Sequence, residues 1–140
     1  MVEREIFESK LHLTYRRDLD ILFLRWLLCP DSAQLRDGYR QSLELAKEVQ
    51  SAYWMFDLRS RGIISPEDEA WMLEQFFPQV EEEISGQSFF ANLVTPTHYT
   101  HIREGIGLEY LENFGTSAKL GVFLSEQEAI AWLLKSRADR

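Results

Sequence analysis

His98, His101 and Glu104 stand three residues apart, so a helix through them would set two imidazoles and a carboxylate on one side. Those are donor types that a divalent metal takes, although no fourth ligand or supporting motif accompanies them. His98 is also a candidate general base for a small enzyme, but no serine or cysteine in a nucleophile-elbow pattern stands beside it. Arg59 and Arg61 flank a loop that leads into a helix, where guanidinium forks and helix N–H groups together suit an anion. Asp57, Glu67 and Asp68 are near enough in sequence to offer both arginines the competing role of surface ion pairs. Ser65 presents a hydroxyl that could accept phosphate, and it equally has the place of a helix N-cap ahead of Pro66-Glu67-Asp68. Cys29 reads as a small buried hydrophobe, because nothing near it in sequence would lower its pKa except a helix N-terminus. Gly105-Ile106-Gly107 lacks a third glycine and a preceding strand, which excludes a dinucleotide loop. Glu81-Glu82-Glu83 reads as a solvated helix end. No cofactor is implied by any of these groups.

The elements that must position these residues follow from periodicity and turn chemistry. His12 to Arg17 and Ile21 to Leu28 are candidate strands joined by Arg17-Asp18-Leu19-Asp20, which predicts an antiparallel hairpin. Pro30 stops the second strand, and Asp31 or Ser32 can cap a helix running to about Gln50. Its apolar stripe is Leu35, Tyr39, Leu43, Ala46 and Val49. Tyr53 to Leu58 is a buried strand, followed by a helix with Trp71, Met72, Phe76 and Val80 on its inner side, which Pro78 should kink or restart. Phe89 to Val94 is the next strand. Thr95-Pro96-Thr97 breaks the chain before an irregular helical stretch from His98 to Asn113, interrupted by Gly105 and Gly107. Lys119 to Leu124 is the last strand, and Ser125-Glu126-Gln127-Glu128 opens a terminal helix through Leu134 with Ala129, Ile130, Trp132 and Leu133 inward.

A hairpin followed by strand–helix repeats predicts an α/β fold with a mixed, roughly five-stranded sheet. Parallel crossovers are right-handed, so crossovers that progress in one direction place their helices mainly on one face. The carboxyl ends of the parallel strands then gather Asp31, Arg59, Arg61, Thr97 and His98 on one rim, where open sheets of this kind bind ligands. Phe23, Arg25, Tyr53, Met55 and Asp57 fall on the opposite, less covered face. An uncovered aromatic and aliphatic face of that extent would call for a partner. The sequence therefore predicts a homodimer through these five residues, with Arg25 and Asp57 as a charge pair that fixes register. The competing cover for the same face is the N-terminal stretch Val2 to Phe7.

At 140 residues, 45% hydrophobic and 13% aromatic, the chain is read as a single domain over residues 1–140. The net charge of −8 argues against nucleic acid as a partner. No apolar stretch is long enough to span a bilayer, and the first ten residues mix charge with apolar side chains unlike a signal peptide. Together with a lone cysteine, this predicts a cytoplasmic protein.

The run from Tyr53 through Asp57-Leu58-Arg59-Ser60-Arg61-Gly62 to Ser65-Pro66-Glu67-Asp68, and the ending Gly121-Val122-Phe123-Leu124-Ser125 through Ala129-Ile130-Ala131-Trp132-Leu133, resemble the STAS-like family. More narrowly, they are similar to small bacterial SpoIIAA-like domains, relatives of anti-sigma-factor antagonists. The likeness covers the order of elements over nearly the whole chain. It implies a right-handed strand–helix superhelix and a non-catalytic protein-interaction or regulatory role. Because the same fold hosts lipid-binding relatives, it also allows a carrier or sensor of a small amphipathic ligand. Members of the family place a phosphorylatable serine in an Asp-Ser-Ser-Gly-like motif after the central strand. In this chain that place falls on Ser65-Pro66, and proline has no hydroxyl. The candidate ligand or partner residues are thus Arg59, Arg61, Ser65, His98 and His101, with the Arg59 to Ser65 loop and the His98 to His101 segment facing a protein partner.

Overall fold

The computed structural model describes residues 2–6, 10–115 and 117–139. Its strands are β1 (Val2–Ile6), β2 (Leu11–Arg16), β3 (Ile21–Trp26), β4 (Tyr53–Asp57), β5 (Ser88–Leu93) and β6 (Ala118–Phe123). They form one sheet in the order β1-β2-β3-β4-β5-β6. The pairs β1–β2 and β2–β3 are antiparallel, and β3–β4, β4–β5 and β5–β6 are parallel. The α/β class, the N-terminal hairpin and the parallel repeats agree with the sequence reading. β1 is one strand more than expected. Three of its five residues are charged, a composition that suits an edge strand but carries little strand signal. Phe7, the end of the segment considered as a cover, lies outside the described residues.

Between β3 and β4 runs α1 (Ser32–Val49), opened by a capping box in which Asp31 accepts from the Gln34 amide and Gln34 Oε1 accepts from the Asp31 amide. Between β4 and β5 come α2 (Pro66–Trp71), a π-helical turn (Met72–Phe76) and α3 (Phe77–Glu83). The turn widens just before Pro78, with the Phe77 amide reaching back to Met72 O. A proline ring would otherwise meet the carbonyl four residues back, so the helix continues through a local expansion rather than a break. Trp71, expected inward, is only half-buried and packs beneath Arg36 and Arg40, whose guanidinium carbons lie 5.5 and 5.4 Å from its ring. Between β5 and β6 the irregular stretch resolves into α4 (Pro96–Glu104) and α5 (Leu108–Glu112), separated where Gly107 takes φ 91°. The acidic run ending α3 is partly engaged, since Glu81 accepts the Ala118 amide and Glu83 lies 3.7 Å from Lys47.

Because each crossover moves one strand further along, α1 to α5 all lie on one face, over Leu22, Leu24, Trp26, Trp54, Phe56, Phe90 and Leu120. The other face is covered by this chain as well. There α6 (Glu126–Ala138) folds back over β4 and β5, and Ala129 and Leu133 join Ile21, Phe23, Tyr53, Met55, Phe89, Ala91 and Leu93 in a second core. The predicted dimer surface is corrected accordingly. Phe23, Tyr53 and Met55 are 6%, 3% and 0% exposed within one chain, and Asp57 is buried too. Arg25 and Asp57 do pair, but as register neighbours on β3 and β4 of the same chain. The handedness rule constrains only connections between parallel strands. α6 follows β6, and no crossover of this sheet runs through it, so the rule does not fix the face it takes.

Candidate functional site

The chain leaves β4 through a turn in which the Gly62 amide donates to Leu58 O at 2.9 Å, with Gly62 at φ 75°. This turn sends Arg59 and Arg61 to different surroundings. Arg59 returns to Asp57 in a fork, Nε to Oδ1 at 3.0 Å and Nη2 to Oδ2 at 2.8 Å, while its amide donates to Oδ1. Arg25 adds Nη1 to Asp57 Oδ2 at 2.6 Å and to Glu126 Oε1 at 2.8 Å. Burial works against the ionised form of Asp57, but hydrogen bonds from Arg59 and the charges of Arg59 and Arg25 outweigh it and hold the carboxyl below its ordinary value. Surface pairing, the competing role considered for both arginines, therefore describes Arg59.

Arg61 goes inward and is 6% exposed. Its Nη1 donates to the Tyr39 hydroxyl at 2.8 Å and its Nε to Gly62 O at 3.2 Å. Among the described residues it has no carboxylate within ion-pairing distance. Asp68, proposed as a partner, instead accepts from Ser32 and Arg36 and ties the start of α1 to α2. Tyr39 is fully buried, its ring 5.4 Å from Phe56 and 5.1 Å from Phe76, so the hydroxyl that receives Arg61 is held by aromatic packing.

Facing the same space is His98 in the first turn of α4, whose amide donates to the N-cap hydroxyl of Thr95 at 3.2 Å. The ring is 6% exposed, and its Nδ1 has no hydrogen-bond partner. Burial, reinforced by the positive charge of Arg61 and by His101, lowers its pKa to about 4, so the imidazole is neutral near pH 7. His101 lies one turn further on at the exposed mouth, with ring centroids 6.5 Å apart. These groups border a cavity of ≈ 100 Å³ beneath the carboxyl ends of β4, β5 and β6. Phe56, Met72, Phe77, Ile102, Leu120 and Val122 give it an apolar wall, and Tyr39, Arg61, Asn92 and His98 are polar residues of its lining, to which Glu69 adds a carboxylate that makes no ion pair with Arg61.

The structure thus brings together Arg61, His98 and His101, three of the five predicted ligand residues, and separates Arg59 and Ser65 from them. Ser65 caps α2, its Oγ accepting the Asp68 amide at 3.1 Å. Asp31 is likewise engaged as the cap of α1, and Thr97 is exposed. Among the described residues no group of three or more His, Cys, Asp or Glu side chains is placed to hold a metal ion. Cys29, expected inside, is exposed, because β3 ends at Trp26 and Leu27 to Pro30 run out over the surface.

Sequence reasoning missed Tyr39 and Asn92. Tyr39 was hidden in an apolar stripe that its ring does occupy. Asn92 had a visible signal, being the polar residue between Phe90 and Val94 on the inward row of β5. Its Nδ2 donates to Gly121 O at 3.1 Å, which bridges β5 to β6 at the cavity wall. Compared with known protein families, curated proteins and solved structures, the chain matches none.

Proposed function

We propose that this chain is a non-catalytic carrier or sensor of a small amphipathic molecule, built on a STAS-like arrangement of strand–helix repeats. The observation that carries the reading is the joining of an apolar cavity with Arg61, a buried cation with no carboxylate of the described residues within ion-pairing distance. A protein core does not ordinarily keep such a group, since an unpaired charge away from water costs several kcal/mol. Supporting the same reading are the orphaned Nδ1 of His98 and the π-helical turn that places Met72 on the wall, a local irregularity often found at functional sites. The alternative of a protein-interaction module working through a dimer has less support, because the face assigned to the second copy is packed under α6. No helix among the described residues is long and apolar enough to cross a membrane.

Native mass spectrometry of freshly purified protein tests the proposal. The expected result is a single chain carrying a small-molecule adduct, with the adduct lost from an Ile102→Trp variant that fills the cavity from α4. A chain that is bare in both forms, or a bare dimer, would count against a carrier.

A further inference from the structure

Resting on that reading, we propose that the ligand is a small organic carboxylate, its carboxylate held by Arg61 and His98 and its apolar group lodged against Phe56, Phe77, Ile102 and Leu120. Three features select this chemistry. The first is the fork of Arg61, which uses Nη1 on Tyr39 and Nε on Gly62 and leaves further N–H groups with no partner among the described residues. A guanidinium matches the planar, two-oxygen face of a carboxylate, and the hydrogen bonds are strengthened by charge on both sides. The second is the count of charges. Among the described residues Arg61 is the one lysine or arginine lining the cavity, His98 is neutral beside it, and the Glu69 carboxylate also lines the space without pairing with Arg61. The site therefore suits at most a single negative charge, whereas a phosphate monoester brings nearly two and is usually met by several backbone amides or a second cation. His98 lines the same cavity, and its neutral imidazole carries one ring N–H that supplies an uncharged donor to the second oxygen. The third is size. A cavity of ≈ 100 Å³ is below the roughly 150 Å³ that accommodates benzene in an engineered apolar core, so it encloses a short branched chain whole and a single ring only in part, the rest of the ring reaching the open mouth by His101.

The wall and the headgroup make separable demands. Its apolar residues would hold a neutral molecule of the right shape as well, and only Arg61 distinguishes the anion. Isothermal titration calorimetry of the full chain with benzoate, benzamide and inorganic phosphate measures the two demands independently. The expected result is benzoate bound about tenfold or more tightly than benzamide, a preference that disappears in Arg61→Met while benzamide binding persists, and no competition by phosphate. Arg61→Lys, which keeps the charge without the fork, should retain only part of the preference. Equal binding of benzoate and benzamide by the unaltered chain would overturn the carboxylate assignment and leave the carrier reading standing. Phosphate displacing benzoate at comparable concentration would overturn it in favour of a general oxyanion site. Failure of both aromatic probes to bind would overturn the assignment together with the proposed function. Circular dichroism of each variant shows that it is folded. If Arg61→Met is not, the benzoate-to-benzamide ratio in the unaltered chain and in Arg61→Lys decides alone.

Discussion

Two arginines separated by a single residue leave the end of β4 for opposite kinds of environment. On the α6 side, Asp57 receives Arg59 and Arg25, Arg25 also reaches Glu126, and the apolar residues beneath are closed over by Ala129 and Leu133. On the other side, Arg61 and His98 border a cavity, the one a buried cation with no carboxylate among the described residues, the other a neutral ring with an unpaired nitrogen. One side has its polar groups matched within the chain. The other has groups that no described residue of the chain matches in full. The contrast separates polar residues that hold a fold together from polar residues that burden it, and burdens of that kind are what ligand sites are made of.

The closed side should be intolerant, and the largest effect is expected there. Leu133, on the inner side of α6, is 1% exposed. Leu133→Asp would place a carboxylate without a partner in the second core and lift the helix from Phe23, Tyr53 and Met55. A loss of more than about 4 kcal/mol is expected, read by urea unfolding, with association of the exposed face seen by light scattering. Wild-type stability in this variant would mean that α6 does not seal the sheet.

Asp57→Ala comes next, at about 3 kcal/mol, because it strands Arg59 and leaves Arg25 with Glu126 alone. Both arginines are partly exposed, which keeps the cost toward the lower end of what a broken buried pair gives. Asp57→Asn should recover part of the loss by keeping hydrogen-bond acceptance.

The two sides should also answer to pH in different windows. His98 has its folded pKa depressed to about 4 from 6.5, so its neutral form contributes stability that is fully present above about pH 6.5. That contribution falls as pH drops, since the unfolded chain takes up the proton first, and it is exhausted as pH passes below about 4. The loss should amount to about 2–3 kcal/mol. Asp57, whose pKa lies below 3.8, contributes stability that is lost only under more acid conditions. Denaturant melts between pH 7 and 4 should therefore slope in the unaltered chain and flatten in His98→Gln. An unchanged slope in that variant would remove His98 as its cause.

Much of this arrangement could be seen in the residues, and the exceptions have physical reasons. Strand and helix boundaries were legible where caps and periodicity spoke locally, as at Asp31, Ser65 and Ser125, each of which accepts the amide three residues on. The rim holding Arg61 and His98 was legible from the parallel direction of the strands, which brings their carboxyl ends to one edge. The placement of α6 was not, because nothing local marks which face a terminal helix takes. The divergence of Arg59 from Arg61 depended on the turn at Gly62, and the exposure of Cys29 on β3 ending at Trp26, both set by tertiary packing. Arg61 illustrates the general limit. Acids near it in sequence suggested ion pairs, yet Asp57 accepts from Arg59, Asp68 accepts from Ser32 and Arg36, and Glu67 is exposed and makes no ion pair with Arg61.

The smallest expected effect is the most discriminating for the open side. If Arg61 served the fold, its removal should destabilise the chain as removal of Asp57 does. Arg61→Met keeps the stem's volume against Tyr39 and Ile64 while deleting a charge that lacks a counter-ion among the described residues. Replacing buried ions with apolar side chains of similar size is often neutral or stabilising. Against that gain stands the loss of the bond to the Tyr39 hydroxyl, which would still accept from Trp26 Nε1 at 3.4 Å. A stability change between zero and a gain of about 1 kcal/mol is expected, measured by denaturant unfolding with no ligand added. A loss of about 2 kcal/mol or more would place Arg61 with Asp57 among the groups that hold the fold. The distinction between the two sides of β4 would then fail at its central residue.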